Sequence, residues 1–288
     1  MKIAIASGKG GTGKTFVAVN LFYAISHAGI QVSFVDCDAE EPNAAEFLKG
    51  KITSKTAAML PIPFIDVSRC IFCGRCYEFC NYHAIVYLPY AGFIQVVEDL
   101  CHSCGACLVA CGQGAITEIE KKTGEITSLE VYDHLKMIEG CVRVGQYSPV
   151  SVIKNALSAL NGNDTISILD SPPGISCPFI ATVEKADFTI LVTEPTPFGL
   201  NDLKLSVETL RNLRKTFGVI VNRAGIGNRE VYEWLRHNNI PLLLEIPFDK
   251  DIARINSEGR LIAELLPAYR NQFYRIFERI QDILKHTE

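Results

Sequence analysis

No apolar stretch in this chain reaches the ~18 residues a membrane-spanning helix needs; a charge or a proline breaks each one first. No Lys/Arg-rich run is present either, and the formal net charge is −4, so a nucleic-acid surface is not expected. The opening MKIAIASGKGG runs directly into a strand and a glycine loop, so no secretory leader is expected. A cytoplasmic location follows as the expectation. In that reducing compartment the eleven cysteines are expected to bind metal rather than pair. The rest is ordinary for a globular chain: 288 residues, 48% hydrophobic and 21% charged, enough for one large domain or two smaller ones.

Residues 2–6 (KIAIA) read as a buried strand, Thr15 to His27 as a helix, and QVSFVDCD (31–38) as a second strand ending on acids. That order begins a doubly wound, mostly parallel α/β sheet. It stops at about Pro61, and until Glu118 the text is cysteine-rich, with short pieces such as AIVYL and FIQVV and no amphipathic helix. Alternation resumes with TISILD (165–170), DFTILVT (187–193), FGVIVN (217–222) and IPLLLEIP (240–247), apolar runs suited to strands covered on both faces. Segment 119–147 is read as strands leading back into the sheet. The last stretch, 268–285, spaces Tyr269, Phe273, Ile276, Phe277, Ile280, Ile283 and Leu284 as a helix packed on the sheet rather than a membrane-targeting one. We therefore expect an α/β domain made of residues 1–60 and 119–288, interrupted by an inserted small α+β module at 61–118.

Gly8-Lys9-Gly10-Gly11-Thr12-Gly13-Lys14-Thr15 fits G-x-x-x-x-G-K-[ST] directly after a strand, the context a P-loop requires. Its glycines let backbone N–H groups curl around phosphates at a helix N-terminus. Lys14 is expected to reach the β- and γ-phosphates of ATP, and the Thr15 hydroxyl to hold Mg²⁺. Asp38 and Asp170 end core strands, where this fold places its ligand.

Two cysteine runs have identical spacing: Cys70-x₂-Cys73-x₂-Cys76-x₃-Cys80 and Cys101-x₂-Cys104-x₂-Cys107-x₃-Cys111. Eight thiolates so arranged match the ligands of two [4Fe–4S] clusters. C-x₂-C pairs also make zinc sites, but zinc does not need triplets. Residues 64–118 carry five Asp/Glu against two Arg, so two clusters would take the segment to about −7. An electron-transfer or cluster-assembly partner would then offer a basic docking face. Cys37 and Cys141 are read as packing residues.

The KGGTGKT form of the loop resembles the deviant Walker A of the MinD/ParA/Mrp ATPases, a family that includes the nitrogenase iron protein. The likeness covers roughly residues 1–60 and 120–288. It implies slow MgATP hydrolysis to ADP, with Lys9 as a signature lysine that crosses a homodimer interface to the partner's nucleotide. It implies that Asp38 is the switch I carboxylate positioning attacking water near Mg²⁺. Asp170, opening Asp-Ser-Pro-Pro-Gly, would be the Walker B acid in switch II. Asn222 and Arg223 resemble the adenine-contacting pair, and Pro247, Phe248 and Asp249 the loop over the base. Cys177 follows Asp170 by seven residues, the spacing of a cluster-bridging cysteine in the iron protein, but the intervening loop differs and an ordinary helix-start residue is expected.

Residues 64–118 resemble a bacterial two-cluster ferredoxin domain, in which the fourth cysteine of each run ligates the other cluster. That implies one centre on Cys70, Cys73, Cys76 and Cys111, and a second on Cys101, Cys104, Cys107 and Cys80. Asn81 and Gly112 stand where proline usually follows the fourth cysteine. Three functions compete: ATP-gated electron transfer or metallocluster assembly, a nucleotide-switched scaffold or redox sensor with structural clusters, and a partition or positioning ATPase. The third is weakest, lacking both a basic DNA face and a basic amphipathic tail.

Overall fold

The computed structural model describes residues 1–132, 134–146, 148–160 and 166–286. Thr165, which opens the expected TISILD strand, lies outside them. The first elements are β1 (Lys2–Ala6), α1 (Lys14–His27), β2 (Val32–Asp36) and α2 (Ala44–Leu48). A long strand β3 (Lys51–Ile65) leads into α3 (Arg75–Glu78), β4 (Ile85–Leu88), β5 (Phe93–Val96) and α4 (Ala106–Ala110). The chain returns through β6 (Ile116–Val131), β7 (Leu135–Val142) and α5 (Val150–Ser158). Next come β8 (Ile166–Asp170), α6 (Cys177–Val183), β9 (Phe188–Thr193), α7 (Pro197–Asn212) and β10 (Thr216–Ala224). The last are α8 (Glu230–His237), β11 (Leu242–Pro247), α9 (Lys250–Ser257), α10 (Ile262–Leu265) and α11 (Pro267–Lys285).

Among the described residues nine strands form one sheet in the order β11-β10-β9-β1-β8-β2-β7-β6-β3. Pairings from β11 through β7 are parallel, and those of β7 with β6 and β6 with β3 are antiparallel. Side chains alternate across the sheet, as a pleat requires. Ile3 and Ile5 join α1 and α11 on one face, while Ala4 and Ala6 join α5, α6 and α7 on the other. Helix α11 buries Phe273, Ile276, Phe277 and Ile280 there, the stripe its spacing predicts. Among the described residues no helix is long and apolar enough to cross a membrane.

Strands β6 and β7 occupy the segment expected to lead back into the sheet. Strand β3 is an addition to the expected elements. It pairs with β6 from Lys51↔Glu130 to Ile65↔Ile116, so a two-stranded ribbon leaves the sheet edge. Pro61 and Pro63 are accommodated because β3 is the edge strand and one side of its backbone has no ladder to complete. The ribbon's far end carries a separate β4–β5 hairpin and a small core of Ile65, Cys76, Ile85, Ile94 and Ile116.

Candidate functional site

The parallel strands end along one edge, and the expected nucleotide residues meet there. Gly13 caps α1 in the left-handed region at φ 95°, and any Cβ on it would strike the Asn222 amide. Gly8 is equally constrained: a Cβ would lie 2.5 Å from the Asp202 carbonyl oxygen. Asn222 Nδ2 donates to the Thr12 carbonyl at 2.8 Å, tying the end of β10 to the loop. Gly10 faces Pro173, and Gly174 N–H donates to the Ser7 carbonyl at 3.0 Å, so the expected switch II lies against the loop. Gly11 takes φ 76°, and Thr12 is buried with a hydroxyl that has no hydrogen-bond partner among the described residues.

Lys14 is buried and its charge bears on both Asp38 and Asp170. Strand register sets Asp36 beside Asp170, both fully buried. Asp36 accepts backbone N–H groups of Asp38 (3.0 Å), Asn43 (3.1 Å) and Ala44 (3.0 Å), and so fixes the loop that carries Asp38. Burial first, then the Asp170 charge, push its pKa well above the usual carboxylate range. Sequence reasoning passed over this positioning role. Asp38 is half-buried; desolvation raises its pKa and Lys14 opposes the rise.

Asp170 differs from Asp36 in having no hydrogen-bond partner for either oxygen among the described residues. Burial raises its pKa to about 7, outweighing the facing Thr15 hydroxyl and the Lys14 ammonium, which favour the charged form. An orphaned buried carboxylate beside a threonine hydroxyl is a fit for Mg²⁺, whose charge would replace the missing partners. The raised pKa has a measurable consequence. The folded, nucleotide-free protein keeps a proton on Asp170 that the unfolded chain releases near its ordinary value of about 4. The stability contributed by that proton is therefore expected to be lost as pH rises from about 4 to about 7. Asp170→Asn should flatten that part of the slope in equilibrium denaturation across the window; a slope equal to wild type contradicts the assignment.

Gly13, Asn222, Arg223, Pro247, Phe248 and Asp249 line one cavity of about 450 Å³ beside α1. Asp249 also caps α9, accepting from Asp251 N at 2.7 Å and Ile252 N at 3.3 Å. Arg223 reaches the cavity while its Nη1 pairs at 2.5 Å with Glu194, an acid that sequence reasoning missed. Glu194 Oε2 also lies 3.5 Å from Lys9 Nζ, so Lys9 does have a partner within its own subunit. The rule that singled out Asp170, an acid ending a parallel strand, applies equally to Glu194.

At the ribbon's far end the two cysteine loops repeat each other's backbone. Phe72 and Ser103 are left-handed (both φ 52°), as are Gly74 and Gly105 (φ 78° and 72°) and then His83 and Gly114 (φ 50° and 59°). Left-handed Phe and His are uncommon, and their matched placement marks loops shaped for a ligand rather than for packing. Phe72 N–H donates to Cys70 Sγ (3.4 Å), Ser103 N–H to Cys101 Sγ (3.4 Å), and Ala84 N–H to Cys80 Sγ (3.3 Å). Burial raises the thiol pKa values of Cys76 and Cys101, and takes Cys107 to about 11.

The loops also cross. Cys80 lines a cavity with Cys101, Cys104 and Cys107. Tyr82, after Cys80, stacks on His102 at 3.8 Å between ring centroids, and Arg69, before Cys70, donates to the Gln113 carbonyl after Cys111 at 3.5 Å. Among the described residues no three His, Cys, Asp or Glu side chains converge as a metal site. The donor chemistry and paired N–H···S turns nevertheless suit thiolate-bound iron. Of the remaining cysteines, Cys37 is buried as expected, and Cys177 is exposed at the start of α6. Cys141 is exposed rather than packed, because β7 turns that side chain outward near its end.

A glycine loop capping the helix after the central strand of such a sheet defines a P-loop α/β protein. The chain belongs to the CobQ/CobB/MinD/ParA nucleotide-binding domain family, whose profile matches residues 3–262. It is 27% identical over 289 residues to an uncharacterized protein of Methanocaldococcus jannaschii, covering 99% of this chain and 98% of that one. Over 47 residues it is 51% identical to the iron–sulfur cluster carrier protein of Pyrococcus horikoshii, 16% of each chain. Its fold is similar to the septum site-determining protein MinD complexed with Mg-ADP from Pyrococcus horikoshii, with TM-score 0.58 and 21% identity over 98% of this chain and 96% of that one.

Proposed function

We propose that this protein binds and slowly hydrolyses MgATP, and that a nucleotide-driven dimer switch is coupled to two [4Fe–4S] clusters for ATP-gated electron transfer or metallocluster assembly. Lys14 and the loop amides hold the phosphates; Asn222, Arg223 and the Pro247–Asp249 loop flank the base. Mg²⁺, held by Thr15 and through water by Asp170, would neutralise phosphate charge. Asp38 orients the water that attacks the γ-phosphorus, and the bond to the bridging oxygen breaks to release ADP and inorganic phosphate. The clusters would supply one-electron chemistry.

The observation that carries the coupling lies at the ribbon's root. The Ala39 carbonyl, next to Asp38, accepts from Val142 N–H at 2.8 Å, and the adjacent Arg143 N–H donates to the Thr123 carbonyl at 2.9 Å. Thr123 Oγ1 in turn donates to Ala58 in β3 at 3.2 Å and accepts from Ser151 in α5 at 2.9 Å. Switch I is therefore linked to both strands that carry the cysteine loops through a relay of hydrogen bonds that starts at Val142, the end of β7. Where that far end meets a partner it offers acids together with exposed Ile71 (63%), Phe79 (60%) and Val109 (89%), suiting a basic face with an apolar centre.

Asp38→Asn is expected to keep MgATP affinity, lose hydrolysis by about 10²-fold or more, and trap an ATP-dependent dimer visible by light scattering. Adding Lys9→Ala should abolish that dimer, and iron chelation rates should change with dimerisation. Wild-type hydrolysis in Asp38→Asn would sink the switch I assignment. Chelation rates indifferent to nucleotide would sink the coupling.

A further inference from the structure

We propose that Glu194 is a latch that holds Lys9 inside its own subunit, and that Lys9 must leave it to reach the nucleotide of a facing subunit. The inference rests on the reading of Lys9 given above and adds what restrains it beforehand. Glu194 directly follows β9 and its side chain is only 9% exposed, whereas that of Lys9 is 33% exposed. Its backbone is held still: Thr196 N–H donates to the Glu194 carbonyl at 2.8 Å, and Gly199 packs so closely that a Cβ would strike that same oxygen. The backbone of Lys9 is likewise fixed, its carbonyl accepting the Ser7 hydroxyl at 2.6 Å. With both backbones held, release of the contact falls to side-chain motion, and the more exposed lysine is free to swing.

The two cations on Glu194 are unequal. Arg223 bonds one oxygen at 2.5 Å, while Lys9 stands 3.5 Å from the other. A buried carboxylate stripped of its only partner would be costly. Here Arg223 stays behind, so the departure of Lys9 strands no buried charge. That is the arrangement an exchangeable contact needs: one close partner and one longer, more easily released partner on the same acid. A triphosphate carries more negative charge than one carboxylate already shared with arginine, so ATP in the facing subunit wins the lysine. With ADP that advantage shrinks and the latch recloses.

Glu194→Gln in the Asp38→Asn background tests this in the intact chain. Two latches open per dimer, and each partly exposed ion pair is worth about threefold, so the MgATP dimer should form at roughly tenfold lower protein concentration by sedimentation velocity. In nucleotide-free protein, acylation of Lys9 followed by peptide mass spectrometry should run about threefold faster. Should Glu194→Gln not fold, Glu194→Asp keeps a charge for Arg223, withdraws it from Lys9 by one methylene, and carries both expectations. An unchanged dimerisation threshold or an unchanged Lys9 reactivity overturns the latch. A dimer that survives Lys9→Ala in the Asp38→Asn background marks the different failure, that of the trans reading itself.

Discussion

Lys14→Ala is expected to weaken MgATP binding by about 10²–10³-fold, measured by isothermal titration calorimetry on protein shown to be folded. The size follows from where the charge sits. Lys14 is only 7% exposed, at the first turn of α1, so its ammonium meets the phosphates with little water to screen it. Loop amides and the helix terminus remain in the variant and still favour an anion, but partial charges do not replace a full one. The loss should grow from ADP to ATP, because the γ-phosphate adds charge next to the missing cation. Affinity within about threefold of wild type for both nucleotides would show that the phosphates bind elsewhere.

Most of the candidate nucleotide site was legible because its chemistry is local in sequence. Eight consecutive residues specify the loop, and the acids at or just past the ends of β2 and β8 specify Asp38 and Asp170. Strand β3 was not legible. Its first seven residues are exposed, and Pro61 and Pro63 read as breakers; only pairing with β6 along its length makes it a strand. Glu194 was hidden for a related reason. It becomes a hub when β9 and β10 pair in register, Val221 beside Thr193, and bring Arg223 to it while the P-loop delivers Lys9 from the far end of the chain. The cysteine spacing announced two equivalent loops, yet what links them, the Tyr82–His102 stack and the Arg69–Gln113 bond, has no spacing to read.

Those cross-links lead to the second large effect. Anaerobically purified protein is expected to hold about eight irons per chain, and Cys80→Ser to lose about four of them. The damaged centre should be the one served by the other run. Cys80 shares a cavity with Cys101, Cys104 and Cys107, and the Tyr82–His102 stack straps its loop to theirs. The reciprocal strap runs from Arg69 to the loop after Cys111. Electron paramagnetic resonance of dithionite-reduced variants should therefore sort into crossed pairs: Cys80→Ser with Cys104→Ser, and Cys111→Ser with Cys73→Ser. Two independent sites, each closed by its own run, would instead pair Cys80→Ser with Cys73→Ser. Zinc held by C-x₂-C pairs would give colourless protein with no reduced signal at all. Iron content and the reduced signal thus decide metal and nuclearity, and the pairing decides the chain path, because a borrowed fourth ligand produces the crossed pattern.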